Sequence, residues 1–452
     1  MAFTSAWFAV FLALVAVLYR VAPRSWRCPL LVAASYCFYW LCSQWFALLL
    51  FAATLLTFFA AKARSLVLVV AGLLFAVLVF FKSLPLLHVS WPIPLGISYY
   101  TFKLAGYLID THWGAMEPER RLMPFLAYSS FFPQIVAGPI QRPESFLPQV
   151  ELAEPATVSR MVAGMMRIAL GLFKKFAIAD NLGLLVDFVY GHLHARTGTP
   201  VLLGFYGFPL QMYADFSGLT DIAIGAAALF GIDSPENFNA PFSAAGPSGY
   251  WRRWHMTLTL WLTDYVFTPL RMSLRNFGNA GLVFSLFANM LLIGLWHGFR
   301  WTYVVFGAVH AFYLSVDALT QKARKRWYKR DELAERMADW TGPIITFNLV
   351  AVAFVFFRAG TLADAVALFH SLFDAWNSWA GYRPLLWLTP ACMVMAGADS
   401  LMHRLWAKDI MAGVPRWGHW CVYGCTAVAV SLMVIFLFSG GHKSSPFLYA
   451  VF

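Results

Sequence analysis

The chain has 452 residues, of which 60% are hydrophobic and only 12% carry a charge, and its formal net charge is +11. Soluble globular domains average about 45–50% apolar and about 25% charged residues. Too few charges are therefore present to cover a water-exposed surface, and the mean hydropathy of +0.64 agrees. This composition excludes an ordinary soluble enzyme, and the dispersal of the positive charges in short segments argues against nucleic-acid binding.

Long, almost uncharged runs predict an all-α, polytopic membrane protein. Roughly 20 apolar residues cross a bilayer as a helix, so the runs predict about ten to twelve membrane helices, some of them short or re-entrant. The first run lacks a small-residue cleavage site before Arg20, and we interpret it as a retained helix. The runs cover residues 4–19, 29–60, 65–81, 161–190, 282–318, 343–357 and 417–439.

Basic residues between these runs predict the orientation of the chain, because loop cations face the cytoplasm. An N-terminus outside the cell would place the loops 20–28, 62–64 and 111–121 inside in alternation, as expected for a bacterial inner-membrane protein. The groups are Arg20/Arg24/Arg27, Lys62/Arg64, Arg120/Arg121, Lys174/Lys175 and Lys322–Arg330.

We predict one membrane domain, residues 1–452, and changes in local composition divide it into four parts. Residues 1–91 are plain scaffold helices, and 341–452 return to plain hydrophobic helices after a basic cytoplasmic loop at 319–340. Gly, Pro, Asn, Asp and His interrupt the part at 92–318. Non-helical backbone at membrane depth is tolerated where protein buries it or where it lines a wet cavity. We therefore expect the functional cavity in residues 92–318.

The most informative motif is Leu295–Trp301, which contains His297 between the apolar runs 282–296 and 301–318. The fifteen residues of the first run would rise about 22 Å as a helix, less than the about 30 Å of a hydrocarbon core. This predicts two helices entering from the same side with His297 at a turn inside the membrane, and one tilted, broken helix is the alternative.

An ionisable residue inside a membrane is a functional candidate, and an imidazole with an unperturbed pKa near 6.5 suits general-base work. A core histidine bonded to a carbonyl is the competing interpretation of His297. Its neighbours Trp296 and Gly298 and the helix break favour function.

The second motif is Tyr250–Thr259. An interfacial amphipathic helix would explain Arg252 and Arg253 as anchors near headgroups, although both could instead attract the phosphates of an acyl donor. It does not explain His255 on the apolar side, which stays open between a site residue and a packing residue. The predicted apolar arc of this helix contains Trp251, Trp254, Leu258, Trp261, Leu262 and Tyr265.

Polar segments at 215–221 and 235–239 predict helix caps, with Asp215 and Asn237 as further candidates for lining the cavity and positioning the histidines. Proline and glycine at 92–100 and 132–142 predict broken or re-entrant helices. We interpret His310 as a packing residue. The six cysteines show no metal-ligand spacing, and Cys421 and Cys425 are interpreted as stacked core thiols; the remaining candidate contacts for substrate or donor are Trp254 and Trp296.

Together these segments resemble the membrane-bound O-acyltransferase (MBOAT) superfamily, in particular its bacterial alginate O-acetyltransferase branch, and are related to the branch that transfers D-alanine to teichoic acid. The resemblance implies about eleven transmembrane helices with re-entrant segments around a central tunnel. It also implies that His297 is the catalytic histidine and His255 the second, partly variable polar position. The matching stretches are PLGISYYTF, FFPQIVAGPIQRP, KKFAIADNL, YADFSGLTDIAIG, PENFNAPF, WRRWHMTLTLWLTDYVFTPL and GLWHGFRWTYVVFGAVH.

The resemblance further implies a cytoplasmic acyl thioester, acetyl-CoA or an acyl carrier, as a substrate without any bound cofactor. The acyl group, expected to be acetyl, would pass outward with a periplasmic SGNH-type partner. Acceptors in the superfamily include alginate, cellulose, peptidoglycan and teichoic acid. The chain departs from the alginate branch at Arg271–Arg275, where that branch has Gly-Gly-Asn-Arg, and at Phe299, where it tends to have alanine.

Three rival functions are less consistent with the sequence. A transporter or flippase would favour inverted repeats of hydropathy, and none is visible. A non-catalytic subunit of a polysaccharide export machine would tolerate the loss of His297. A metal-dependent hydroxylase or desaturase needs several closely spaced histidine ligands, whereas His255 and His297 lie 42 positions apart. The sequence therefore favours an O-acyltransferase.

Overall fold

The structure, a computed structural model, describes residues 3–191 and 199–375, and these residues contain helices but no β-strand. The first nine helices are α1 (Ala6–Val21), α2 (Arg24–Ser43), α3 (Phe46–Ala60), α4 (Val67–Ser83), α5 (Ile97–Trp113), α6 (Leu122–Ser130), α7 (Pro143–Leu152), α8 (Val158–Phe173) and α9 (Asp180–Tyr190). The next eight are α10 (Thr199–Leu229), α11 (Pro247–Trp251), α12 (Met256–Leu262), α13 (Thr268–Ser273), α14 (Gly278–His297), α15 (Trp301–Tyr328), α16 (Glu332–Arg358) and α17 (Leu362–Ala375).

Four of the described helical segments are long and apolar enough to cross a membrane: Val67–Leu87, Arg275–His297, Trp301–Tyr328 and Glu332–Arg358. They agree with the all-α, multi-pass class that the sequence predicts, while the number of about eleven spans stays a prediction. The C-terminal helices predicted beyond residue 375, with Cys421 and Cys425, lie outside the described residues.

The described chain divides into two compact units. The first contains residues 3–176 and 215–236, and the second contains 177–191, 199–214 and 237–375. In the first unit, buried irregular backbone follows α6, where the sequence predicts an interrupted helix. Side chains provide hydrogen-bond partners for this backbone and for one another. Phe132 N donates to Ser35 Oγ (3.1 Å), and Gln134 Nε2 donates to Gln141 Oε1 (2.6 Å).

A group of charged side chains, all buried except the half-buried Glu236 and here called the charge cluster, also lies in the first unit. Lys175 Nζ donates to Asp215 Oδ1 (2.8 Å), and Lys174 Nζ donates to Asp221 Oδ2 (2.8 Å). The cluster consists of Arg167, Lys174, Lys175, Asp215, Asp221 and Glu236. The prediction that Lys174 and Lys175 are loop cations is wrong, because each is buried against a carboxylate.

The acidic partners in this cluster are not helix caps. Asp215 and Asp221 lie in the middle of α10, so the capping role predicted for residues 215–221 is wrong. Glycines bring this part of α10 close to α8: a Cβ on Gly218 would lie 2.7 Å from the Gly171 carbonyl oxygen, and one on Gly225 would lie 2.5 Å from that of Gly164. Small residues allow helix backbones to approach in this way.

In the second unit, α14 and α15 form an antiparallel helical hairpin. A Cβ on Gly294 would collide with the Tyr303 carbonyl oxygen, and one on Gly307 would lie 2.5 Å from that of Met290. Along antiparallel helices the residue number rises on one helix as it falls on the other. The two contacts, Gly294 with Tyr303 and Gly307 with Met290, follow this rule. The predicted hairpin is therefore confirmed and the single broken helix is excluded.

The length predicted for the first helix of this hairpin is wrong. Helix α14 begins at Gly278 and has 20 residues, which rise about 30 Å and can cross a hydrocarbon core. Its first turn contains Gly278, Asn279 and Gly281, which a search for apolar runs does not include, although backbone hydrogen bonds continue the helix through them. Helix length therefore does not by itself place His297 inside the membrane.

The basic stretch 319–340 is mostly helical, in contrast to the predicted loop. Helix α15 continues to Tyr328 and α16 begins at Glu332, so residues 329–331 make the connection. Asp331 caps α16 by accepting a hydrogen bond from Ala334 N (3.0 Å). Lys, Arg and Glu are good helix formers, which explains why charge did not end the helix. The cytoplasmic location of this stretch stays a prediction.

Candidate functional site

The site is built on the turn between α14 and α15. His297 is the last residue of α14, and Gly298 follows it with φ +154°, a value that residues with side chains rarely adopt. A Cβ at this position would also lie 3.1 Å from the ring of Tyr303. The glycine of the Trp-His-Gly sequence therefore allows the tight turn that places His297 at the corner of the hairpin.

Aromatic rings surround the imidazole of His297, which is 8% exposed. The ring centroid of Phe357, from α16, lies 4.7 Å away with its plane nearly perpendicular to the imidazole. Tyr303 and Phe306, from α15, lie at 6.1 and 6.4 Å. Three helices thus fix the ring in an apolar environment, where electrostatic interactions are stronger than in water.

The second motif contains a sharp turn where the sequence predicts a continuous amphipathic helix. Helix α11 ends at Trp251 and α12 begins at Met256, and His255 between them has φ +42°. The segment around Asn237 holds this turn: Asn239 N donates to Arg253 O (3.0 Å), and Met256 N donates to Asn237 O (2.8 Å). These tertiary hydrogen bonds replace those of a continuous helix.

The burial pattern predicted for the same motif is largely correct despite the turn. Five residues of the apolar arc are buried, namely Trp251, Trp254, Leu258, Trp261 and Leu262, whereas Tyr265 is only partly buried. Arg252 is exposed and Arg253 is half-buried. The alternation of large apolar and charged residues therefore reports which face is buried, even though the backbone is not one helix.

His255 and His297 both lie against the indole ring of Trp296. The ring centroids of His255 and Trp296 are 5.9 Å apart, and those of Trp296 and His297 are 4.7 Å apart. His255 is 1% exposed, and its burial lowers the pKa of the imidazole to about 3, so it is neutral at physiological pH. The structure thus joins the two predicted histidines through one indole ring.

Asn237 is the polar neighbour of His255. Its Oδ1 lies 3.2 Å from His255 Nδ1 and accepts hydrogen bonds from Thr257 N (3.3 Å) and Thr257 Oγ1 (2.6 Å). Asn237 begins no helix of its own, but it accepts hydrogen bonds from Met256 N and Thr257 N, so it caps the start of α12 from a distant segment. The predicted positioning of a histidine also agrees with the geometry. Thr257 was missed, although it follows His255 by two residues within the recognised motif.

The remaining predicted site residues have different surroundings. Trp254 is buried among aromatic rings, stacking on Tyr250 at 5.5 Å. Arg253 Nη1 donates to Ser243 Oγ (2.6 Å), and Arg252 is exposed on the same turn. Asp215 belongs to the charge cluster of the first unit. Contact of any of these residues with a substrate or donor stays a prediction.

Two buried residues near the predicted site residues carry interactions that the sequence did not reveal. His310, interpreted as packing, is buried on α15 and accepts a hydrogen bond at Nδ1 from Trp251 Nε1 (3.3 Å). Lys175 is the ion-pair partner of Asp215. Two adjacent lysines inside the apolar run 161–190 were the signal that could have identified a buried pair. Within residues 3–191 and 199–375, no group of three or more His, Cys, Asp or Glu side chains could hold a metal ion.

Comparison with known proteins identifies the family of the chain. The model of the MBOAT, membrane-bound O-acyltransferase family matches residues 120–359, which include both histidines and just over half of the chain. The probable alginate O-acetylase AlgI of Azotobacter vinelandii is 32% identical over 398 residues, 81% of this chain and 76% of that protein. Its namesake in Pseudomonas aeruginosa is 36% identical over 287 residues, 62% of this chain.

The teichoic acid D-alanyltransferase of Bacillus subtilis is 31% identical over 282 residues, 58% of this chain and 68% of that protein. The match spans about half (52%) of the length of the Pseudomonas aeruginosa protein. Both branches that the sequence resembles are thus represented among its relatives, which confirms the resemblance. With its long apolar helices and the family match across the site, the chain is a multi-pass membrane protein that belongs to the membrane-bound O-acyltransferase family.

Proposed function

We propose that the protein is an O-acyltransferase that moves an acyl group, expected to be acetyl, from a cytoplasmic thioester across the inner membrane. The acceptors would be hydroxyls of an exported polysaccharide or cell-wall polymer. The observation that carries this proposal is the contiguous arrangement of His255, Trp296 and His297 within the region that matches the family. Two buried imidazoles that contact one indole ring, in an apolar environment, are suited to proton transfer at a reacting hydroxyl.

The reaction needs one proton acceptor and a leaving thiolate. With His297 as the general base, the acceptor hydroxyl gives its proton to an imidazole nitrogen of His297 while its oxygen bonds to the thioester carbonyl carbon. The carbon–sulfur bond then breaks, and the thiolate leaves and takes up a proton. The alternative is that His297 itself receives the acyl group from the thioester and passes it to the hydroxyl. His255 orients the substrate or shares the proton. A positioned general base of this kind contributes typically about 10²–10⁴-fold to the rate.

Donor and partner follow from the same proposal. Exposed Arg252 and half-buried Arg253 would attract the phosphates of coenzyme A or of an acyl carrier at the cytoplasmic mouth, and Trp296 would contact the substrate between the histidines. Asp215, Asn237 and Trp254 would support binding from buried positions. No bound cofactor is needed, and a periplasmic SGNH-type protein would complete the transfer.

The names of the relatives support a polymer as the acceptor. They are named for the O-acetylation of alginate and the D-alanylation of teichoic acid. Both names describe the attachment of a small acyl group to a polymer. The shared chemistry, rather than either acceptor, is what we transfer to this chain.

The test is the ester content of the exported polymer in cells that carry wild type, His297→Ala or His255→Ala at equal membrane abundance. Loss of the base predicts that ester formation falls by about 100-fold or more with His297→Ala, whereas His255→Ala causes partial loss. His88→Asn is the matched control, because His88 is exposed and its φ of +55° suits asparagine. Unchanged ester with His297→Ala would instead favour a non-catalytic transport or assembly subunit.

A further inference from the structure

We propose that Asn237 is a positioning residue that holds His255 in the tautomer protonated at Nδ1, so that Nε2 is the atom through which His255 accepts a hydrogen bond beside Trp296 and His297. The role rests on the proposed acyl-transfer function, whereas the geometry does not depend on it. The side-chain amide of Asn237 is fully buried.

The backbone fixes the orientation of this amide. Thr257 N–H can only donate, and it lies 3.3 Å from the amide atom that also accepts from Thr257 Oγ1 at 2.6 Å. If the –NH₂ group of Asn237 occupied the position of this atom, two donors would face each other, the –NH₂ group and Thr257 N–H. The atom that faces Thr257 is therefore the oxygen, and exchange of the amide oxygen and nitrogen is excluded.

The oxygen in turn determines the tautomer of His255. Its Nδ1 lies 3.2 Å from the same Oδ1, and an oxygen that is an acceptor requires a donor on the imidazole. A neutral imidazole has one N–H, so protonation at Nδ1 places the lone pair on Nε2. The full burial of His255 favours the neutral ring. The ring is therefore one tautomer with one acceptor atom.

Asn237 also holds the backbone on which the ring is mounted. Its carbonyl accepts from Met256 N (2.8 Å), directly after His255, whose φ of +42° is uncommon for a residue with a side chain. Strained backbone of this kind persists where surrounding contacts over-determine it, and it is frequent at functional sites. One residue thus orients both the turn and the imidazole.

His310 provides an internal contrast on the neighbouring helix. The indole Nε1–H of Trp251 can only donate, and its acceptor is His310 Nδ1 at 3.3 Å. His310 is therefore protonated at Nε2, the opposite tautomer to that of His255. A change at Asn237 should leave His310 unaffected, which makes it a reporter of general disturbance in the same protein.

The experiment is ¹⁵N NMR of the full-length protein in detergent with ¹⁵N-labelled histidine, together with kcat and KM for acyl transfer. The His255 signals are assigned by their loss in His255→Gln. Wild type should show a protonated Nδ1 on His255, and Asn237→Leu should abolish that preference while the His310 signals stay in place. We expect kcat to fall at least about tenfold with KM changed by less than about twofold.

Two further variants separate positioning from folding. Asn237→Asp keeps an acceptor oxygen, so it should retain the Nδ1–H signal and most of the wild-type kcat. The assay is run at pH 8, because at this pH a neighbouring carboxylate does not suffice to keep the imidazole charged. Thr257→Val removes the hydroxyl donor from the same oxygen but keeps the contact with His255. It should preserve the tautomer and keep kcat within about twofold of wild type.

Protonation of His255 at Nε2 in wild type, or an unchanged tautomer in Asn237→Leu, would overturn the proposal. So would a changed tautomer with unchanged kcat. If no variant, wild type included, transfers an acyl group, the proposed function fails, but the NMR signals still decide whether Asn237 sets the tautomer.

Discussion

The charge cluster of the first unit and the histidines of the second unit are two buried polar regions with opposite chemistry. In the charge cluster, Lys175 meets Asp215 and Lys174 meets Asp221, and Arg167 bonds to both Asp221 and Glu236. Each cation has a carboxylate partner. Paired buried charges offset each other's desolvation, so this arrangement is suited to holding helices together.

In the second unit, two buried histidines contact neutral groups. His255 contacts an amide oxygen, and His310 contacts an indole N–H. In each of these neutral imidazoles one hydrogen bond determines which ring nitrogen carries the proton. The other ring nitrogen is then the acceptor in His255, and it is the donor in His310. The difference teaches that buried polarity alone does not identify an active site. Pairing of opposite charges indicates a structural role, whereas a neutral imidazole that contacts the same indole ring as His297, as His255 does, is suited to proton chemistry.

The largest effect is expected at the Lys175–Asp215 pair, where the comparison predicts a structural role. Lys175→Met leaves a buried carboxylate without its cation, which should cost about 3–5 kcal/mol of unfolding free energy. Denaturant titration in mild detergent measures this loss, with Lys175→Arg as the control that keeps the charge. A loss below about 1 kcal/mol would contradict the structural role.

The double variant Lys175→Met/Asp215→Leu tests what Asp215 does beyond folding. Replacing both charges with apolar groups should recover most of the lost stability. If the double variant recovers both stability and full acyl transfer, Asp215 contributes only to the fold. Stability that returns without acyl transfer would support its predicted place in the site.

A smaller effect is expected from His310→Phe, which keeps the aromatic packing and removes the acceptor of Trp251 Nε1. The buried indole N–H then lacks its partner, at a cost of about 1–3 kcal/mol. Acyl transfer should stay within about twofold of wild type once stability is matched. In a double-mutant cycle with Trp251→Phe, the two costs should not add. A tenfold loss of kcat at unchanged stability would place His310 in the chemistry and contradict its role as a packing residue.

The smallest effect is expected from Arg252→Gln, because the side chain is exposed. If Arg252 attracts donor phosphates, KM for a coenzyme A donor should rise about twofold to threefold at low salt, and the difference should vanish at high salt. The control is Arg326→Gln, an exposed cation on α15. Equal changes in both variants would assign Arg252 to general surface charge or to anchoring at the headgroups.

Much of the fold could be predicted from local patterns. Apolar runs predicted membrane helices, and the Trp-His-Gly sequence between two such runs predicted the hairpin at His297. The start of α14 could not be found in this way, because polar residues continue a helix when backbone hydrogen bonds are available. The same limitation applies to 319–340, where charged residues that favour helix were interpreted as a loop.

The sequence by itself determined the membrane class and the family and identified His255 and His297 as candidates, because these depend on composition and on residues that lie close together in the chain. The tertiary structure decided what the polar residues do. The turn at His255 and its hydrogen-bonded Asn237 depend on contacts between residues 18 positions apart, and Lys175 meets Asp215 across 40 positions. Neither pairing leaves a periodic signal, since hydrogen bonds and ion pairs between distant segments form only when packing brings those segments together.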